Sequence, residues 1–309
     1  MRKSHVLFAL AAGLAVVSAG QSAKPFAGRW DLTITTPNTT YPGWLEVTDS
    51  AEGSKVRLQP RAGSVFVVKN VKLEDGRLML MLSQGEGNRP ASSMQFTAEG
   101  DKLTGVAKRG DTETGKIAGV HAPALDRKPP KSWTRPEPLF NGKDLTGWEP
   151  DNPANNHWAA VDGYLVNQTK GANLRTTRKF DDFKLHFEVN CPDHANSGMY
   201  LRGRYEMQIE YEPAGSEDAF HSMGAIYGMV AAKPAARKVG EWESFDITMV
   251  GRRVTVVRDG TAIIDNQEIA GITGGALDSN EGEPGPFYIQ GDHTGGIKFR
   301  NITIATPKR

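Results

Sequence analysis

The sequence predicts an all-β protein, with a small antiparallel barrel or sandwich followed by a larger β-sandwich of jelly-roll type. Apolar residues fall mostly in short runs with alternating character, the signature of half-buried strands. The 309 residues include 34 glycines and 18 prolines, which punctuate strands and turns more than they extend helices. A single proline-rich stretch separates two strand-bearing regions. With 38% hydrophobic and 24% charged residues the chain has ordinary globular composition, which excludes a disordered, collagen-like or coiled-coil protein. Its 37 basic and 36 acidic residues nearly cancel, so no electrostatic argument points to nucleic acid or an anionic membrane as partner.

Residues 1–23 read as a cleaved signal peptide. Arg2 and Lys3 form a basic start, and Val6 to Val17 is an apolar run too short to span a bilayer. Val17-Ser18-Ala19 and Gln21-Ser22-Ala23 each place small residues before a cut, so the mature chain is expected to begin near Gly20 or Lys24. The expected location is outside the cytoplasm, periplasmic or extracellular. Cys191 is the sole cysteine and is read as a small buried hydrophobe.

Residues 24–121 carry segments such as Trp30 to Thr35, Lys55 to Leu58, Val65 to Val68 and Arg77 to Leu82, separated by Glu-Gly, Asp-Gly and Glu-Gly-Asp turn signals. This is the small β unit. Gly28-Arg29-Trp30 resembles the opening of lipocalin-type barrels, and it also fits plain core packing. Residues 122–137 form the linker, rich in proline and unable to be a central strand or a helix interior. Such a linker is expected to limit contacts, leaving residues 138 to 305 able to fold alone.

In the second unit, residues 138–306, Phe183, Leu185, Phe187 and Val189 share one face of a strand and Lys184, His186 and Glu188 the other. Tyr205, Met207, Ile209 and Tyr211 alternate with Glu206, Gln208 and Glu210 in the same way. Arg253 to Arg258 and Thr261 to Asp265 flank Asp259-Gly260, a hairpin turn dipeptide. Phe287 to Gln290 and Ile297 to Ile304 supply the closing strands, and the apolar phase slips at Asn301, which predicts a bulge. Only Asp218 to Val230 and Ala231 to Glu241 could hold short helical turns.

Amides, carboxylates, a guanidinium and an imidazole concentrate in Asn196 to Arg202, Glu206 to Glu210 and Ile289 to His293. A strand bearing Glu, Gln and Glu at alternate positions either faces water or lines a cleft. Trp148, Trp158, Tyr200, Tyr227 and Trp242 interleave with this set. Aromatic platforms beside amides and carboxylates suit a sugar, and core packing accounts for such residues equally well.

Several motifs stand in order: Pro138-Leu139-Phe140-Asn141-Gly142-Lys143-Asp144-Leu145-Thr146-Gly147-Trp148, Trp158, Asp162-Gly163, Asp182 to Leu185, Asn196-Ser197-Gly198-Met199-Tyr200, Glu206-Met207-Gln208, Gly240-Glu241-Trp242 and Phe299-Arg300-Asn301-Ile302. Over about Pro138 to Ala305 the chain resembles the 3-keto-disaccharide hydrolase family. The family's usual Glu-Trp-Asn stands here as Glu241-Trp242-Glu243, and its Gln-Ile-Asp as Gln208-Ile209-Glu210. The resemblance implies a concanavalin- or glucanase-like jelly roll acting on glycosides already oxidised to a ketone at carbon 3.

Such a ketone acidifies the hydrogen on carbon 2, so a positioned base can remove it if the enolate oxygen is met by a cation or hydrogen-bond donors. The group at carbon 1 then leaves by elimination, and water added to the enone completes a net hydrolysis. On this reading Glu206 or His221 is the base, His293 the acid for the leaving group and Arg202 the enolate stabiliser. Asn196, Gln208, Glu210, Tyr227, Trp242, Gln290 and Asp292 would bind the oligosaccharide or glycoside. Arg202 and Arg300 could instead serve as structural ions paired with Glu206 or Asp292. No cofactor is expected, and a divalent ion on His221, Glu206, Asp292 and His293 stays unassigned because no short ligand spacing supports it.

Two other readings remain. A conventional glycosidase would use Glu206 and Glu210 as its pair, but these lie ~13 Å apart at Cα along one strand, where retaining chemistry needs ~5 Å between carboxyl groups. A non-catalytic, lectin-like binding module would use the same fold. The export reading has a direct check: intact-mass measurement of the secreted chain should show a start at Gly20 or Lys24, and a retained Met1 contradicts it.

Overall fold

The structure, a computed structural model, describes residues 23–50, 53–86, 89–211, 215 and 218–308. The leader and its two candidate cleavage sites lie outside the described residues except for Ala23, which is buried. Among the described residues the only helical elements are single 3-10 turns, Lys24–Phe26 and Pro153–Asn155, and no helix is long and apolar enough to cross a membrane. The segments 218–230 and 231–241, expected to carry helical turns, are turns and irregular backbone instead. Ile226 bridges Met207 and Val230 there, so backbone groups that a helix would satisfy internally pair with a strand.

The first unit is one antiparallel sheet of nine strands between Gly28 and His121, its first strand Gly28–Thr35 paired with its last, Thr112–His121. The sheet's two edge strands, Phe66–Val67 and Asn70–Glu74, are consecutive in sequence. Nine flat strands would span ~38 Å, and the two residues between the edges reach only ~10 Å. The sheet must therefore curl until its edges come within ~10 Å of each other, the shape of an up-and-down barrel whose two edge strands are not paired with each other. Alternation fills its inside with Trp30, Leu32, Leu45, Leu58, Leu78, Leu80 and Phe96. Trp30 stacks on His121 with ring centroids 3.7 Å apart and donates its indole N–H to the Phe26 carbonyl.

The second unit packs two sheets face to face, the jelly-roll sandwich expected. One holds Trp158–Val161, Tyr164–Asn167, Lys298–Ala305, Phe183–Asn190, Trp242–Val250, Arg253–Arg258 and Thr261–Glu268 in that order. The other runs Trp148–Pro150, Leu174–Thr176, Tyr288–Ile289, Asn196–Leu201, Tyr205–Glu210. Between them Phe183, Leu185, Phe187 and Val189 meet Met199, Met207 and Ile209 in one core. The Asp259-Gly260 turn has φ of 47° and 77°, as its hairpin requires. At Asn301, with φ 53°, the register against Phe183–Asn190 shifts, so the slip in apolar phase is a bulge.

The proline-rich segment does not act as a spacer. The Pro123 carbonyl accepts from Arg252, Arg127 pairs with Asp181 and Asp182, the Lys184 ammonium lies 5.4 Å over Trp133, and Glu137–Pro138 adds a short strand beside Thr303 and Ile304. The barrel docks as well. Trp44, fully buried, packs with Ile272 and Ala276, and a Cβ at Gly271 would overlap its indole. Below it, Asp31 of the barrel meets Glu281, Arg252 and Arg204 of the jelly roll, all buried. Burial first, and Glu281 second, push the Asp31 carboxyl up to about 8. The expectation that the linker keeps the two units apart therefore fails. Removing a buried tryptophan costs about 3–5 kcal/mol, so Trp44→Ala should lower the melting temperature and split one calorimetric transition into two. A single transition at unchanged temperature would place the docking energy elsewhere.

Candidate active site

The site follows from register. Asn196 lies opposite Glu210, Gly198 opposite Gln208 and Tyr200 opposite Glu206, so all six share one face of the hairpin while Met199, Met207 and Ile209 face the core. The neighbouring strand sets Tyr288 beside Tyr200. Asn196, Tyr200, Glu206, Gln208 and Glu210 line a cleft of about 210 Å³ with Tyr227, Gln290, Asp292 and His293, closed further by Gly274, Gly275 and two barrel residues, Ala62 and Gly63. Eight of the expected residues thus converge: Glu206, His293, Asn196, Gln208, Glu210, Tyr227, Gln290 and Asp292.

The strand face is not solvated. Glu206 is 4% exposed and Gln208 2%. Burial pushes the Glu206 carboxyl up to about 8; a hydrogen bond from Tyr200 and the nearby His293 pull it down, and Asp292 and Glu210 push it up. The carboxylate occupies space above Gly198, where a Cβ would overlap it. Tyr200 Oη lies 2.9 Å from Glu206 and 2.8 Å from the Gly274 carbonyl, and it accepts from Gln290 Nε2 at 3.1 Å. Its single proton can serve the ionised carboxylate. When Glu206 is protonated, the acid can donate to Tyr200 and Tyr200 to Gly274. Burial raises the Tyr200 phenol well above its ordinary value, so it keeps its proton.

His293 pairs with its neighbour Asp292 at 2.7 Å, and that bond raises the imidazole and lowers the carboxyl. Their loop is fixed from below: Gly291 donates to Asn173, its carbonyl accepts from Gly171 and Asn167, and Trp158 leaves no room there for a side chain. Glu210 accepts from Asn196 and Gln208. The side-chain oxygens of Gln208 and Gln290 are buried without a partner, acceptors that a ligand hydroxyl can meet. A larger cavity of about 370 Å³ shares Glu210, but its Arg258 is already paired with Glu243.

Three expected residues sit elsewhere. Arg202 is fully buried away from the cleft, bonded to Asp181 and the Gly251 carbonyl and stacked over Tyr205. The strand ends at Leu201, and Arg202, with φ 55°, begins the hairpin turn, so the alternation that would aim it into the cleft stops one residue too soon. Trp242 packs on Tyr164 beneath Arg300, which pairs with Glu188 and not with Asp292. Trp148 and Trp158 are core residues whose indoles donate to the Leu139 and Ala172 carbonyls. His221 lies behind the cleft wall: its Nε2 is 2.5 Å from Ser64 Oγ, its Nδ1 3.1 Å from Asp218, and its ring abuts Tyr227. Glu243, one of the two departures from the family motifs, is held by Arg258 and Tyr211. Among the described residues no three His, Cys, Asp or Glu side chains converge as a metal site.

The reading from residues missed Tyr200 as the partner of Glu206. The signal was present: a two-strand hairpin turning at Arg202-Gly203-Arg204 places position 200 opposite 206.

Residues 132–305 match the family described as the 3-keto-α-glucoside-1,2-lyase-like domain. Among solved structures, one from Parabacteroides distasonis, provisionally assigned as a glycosyl hydrolase, is 27% identical and covers 58% of this chain and 92% of its own, with a TM-score of 0.48. A second from the same organism is 20% identical over 56% and 94%, TM-score 0.45. A carbohydrate-binding module from Bacillus subtilis is 16% identical over 52% and 97%, TM-score 0.34. No curated protein matches the chain.

The raised Glu206 carboxyl has a consequence for stability that is independent of any reaction. In the unfolded chain it loses its proton near the ordinary 4.5, in the folded chain near 8. Between these values the folded state holds the extra proton, so stability falls as pH rises, by about 3 kcal/mol at pH 7. Glu206→Gln should therefore melt higher than the parent at pH 8 and show little difference at pH 4. Equal melting at both would mean that the carboxyl is not desolvated.

Proposed function

The chain belongs to the 3-keto-α-glucoside-1,2-lyase-like family, a carbohydrate-active one, and from that premise we propose that it cleaves 3-keto-glycosides by removing the proton on carbon 2. The observation that carries this reading is a carboxyl group desolvated inside a cleft of amides, phenols and an imidazole. A base whose conjugate acid sits near 8 is far stronger than an ordinary carboxylate, as abstraction beside a ketone requires. Glu206 takes the carbon 2 proton, and the electron pair moves to the carbon 3 oxygen. With Arg202 outside the cleft, the donors left to meet that oxygen are the Tyr200 hydroxyl and the amides of Gln208 and Gln290. The enolate then expels the group at carbon 1, which receives a proton from His293, whose imidazole is biased toward its protonated form by Asp292. The product is an enone, and water added at carbon 1 gives net hydrolysis. Asn196 and Glu210 are placed to hold sugar hydroxyls. Export to the periplasm or exterior belongs to the same proposal, supported by the basic start and apolar run at residues 1–17.

The test sets a synthetic 3-keto-glycoside against its parent glycoside. Only the ketone should turn over, with solvent deuterium entering carbon 2. Glu206→Gln should lower the rate by ~10²–10⁴-fold while binding stays within about tenfold. The rate should rise with pH through about 8 as Glu206 ionises. A rate that falls through the same pH would make the protonated carboxyl a donor to the enolate, and equal cleavage of the parent without deuterium would favour an ordinary glycosidase.

A further inference from the structure

One wall of the cleft does not come from the jelly roll. Ala62 and Gly63 belong to the barrel turn between Gly53–Gln59 and Phe66–Val67, and they face the same space as Glu206 and Gln290. The turn is built rather than loosely draped. Gln59 donates to the Pro60 and Gly63 carbonyls, and Gly275 of the jelly roll donates to the Arg61 carbonyl at 2.9 Å. Gly274 and Gly228 lie so close to Gly63 and Ser64 that a side chain at either would strike the turn. At its end the Ser64 hydroxyl meets His221 Nε2 at 2.5 Å, and Asp218 holds the other ring nitrogen. The His221 ring in turn abuts Tyr227, which lines the cleft.

Acid, imidazole and hydroxyl stand in the order of a hydrolytic triad. Yet Ser64 is packed on Gly228 and is absent from the cleft wall, so the chain acts as a latch. The space, about 210 Å³ and open to solvent along a rim that includes the exposed Ala62, Gly63, Asp292 and His293, lies below the ~300–1,000 Å³ of sites for drug-sized ligands. It holds about one sugar ring.

We propose that the barrel turn Arg61 to Ser64 is the specificity wall of the site. It converts the concave face of the sheet into a one-ring pocket that accepts the terminal ring of a short saccharide and refuses an interior ring of a longer chain. Ala62 and Gly63 form the wall, and Ser64 and His221 are positioning residues. The inference rests on the reading of the cleft as a ketosugar site, and it assigns the barrel a part in that site.

Two substrates test it on the full chain: a disaccharide whose non-reducing ring carries the 3-ketone, and a trisaccharide in which one further glucose caps that ring at O4. The parent protein should use the capped substrate ~100-fold less well in kcat/KM. Ser64→Ala should narrow that ratio about tenfold through the KM of the capped substrate, with kcat on the disaccharide unchanged. Ala62→Trp, on an exposed turn, should raise the KM of the disaccharide at unchanged melting temperature. The same two ligands titrated calorimetrically into Glu206→Gln read binding without turnover. If neither substrate reacts but the disaccharide still binds in preference to the capped trisaccharide, the reaction reading fails and the wall stands. Equal turnover or equal affinity of the two in the parent site overturns the wall, and an unchanged ratio in Ser64→Ala overturns the latch.

Discussion

Tyr200 and Glu206, opposite one another across a hairpin, set the terms for everything around them. A carboxyl group withdrawn from water is costly to ionise unless donors meet it, and the phenol is the donor supplied. Holding the pair dry demands close packing from both sides. Gly198 must lack a side chain so that the carboxylate has room, and Gly275, with φ 78°, must lack one so that the phenol does. The Gly274 carbonyl completes the phenol's hydrogen bonding, and Gln290 adds a donor from just past the neighbouring strand. The same covering loop that excludes water meets the barrel turn, so the chemistry of one side chain extends to the docking of a separate unit.

That docking is itself built on buried charge. Arg252 and Glu281 are paired with almost no exposure, Tyr205 donates to Glu281, and Arg252 also reaches the Ala270 and Pro123 carbonyls. Asp31 enters this cluster from the barrel. A lone buried carboxylate would be heavily penalised, whereas a carboxyl that keeps its proton beside another carboxylate is not. Such networks discriminate against misdocked arrangements, since each group left unpaired costs more than the pairing returns. Trp44 supplies the apolar share of the interface.

Much of this was legible in residue order because strand periodicity and turn chemistry are local. The alternation through Tyr205 to Tyr211, the Asp259-Gly260 turn and the slip at Asn301 each needed only neighbouring residues to read. Glu206, Gln208 and Glu210 followed from the same alternation, whereas Asn196, Tyr227, Gln290, Asp292 and His293 came from the concentration of polar side chains and aromatics and from the family resemblance. What failed depended on a single dihedral or on distant contacts. Arg202 has the right parity to face the cleft but sits one residue past the end of its strand; Gly203 beside it marks a turn, yet does not tell that the positive φ begins at the arginine itself. Trp242 has the composition of a sugar platform, but it opens an interior strand of the other sheet, opposite Asn190, and packs on Tyr164. The docking of the barrel through Trp44, Asp31 and Ser64 joins positions more than 150 residues apart in chain order, and no periodicity encodes that pairing.

The strand Lys298–Ala305 lies in the interior of its sheet, between Tyr164–Asn167 and Phe183–Asn190, although it is the last strand of the fold. On its flank the proline-rich join adds Glu137–Pro138, and Trp133 bridges to Pro307. Until the chain has been made through Ala305, the sheet is two partial sheets with unpaired inner edges, and the core beneath them lacks Phe299, Ile302 and Ile304. Closure of the jelly roll is therefore a late, non-local event, slow by the topology of its contacts. A nascent chain of this protein would remain open and adhesive until its final strand arrives, a state in which a chaperone has something to hold.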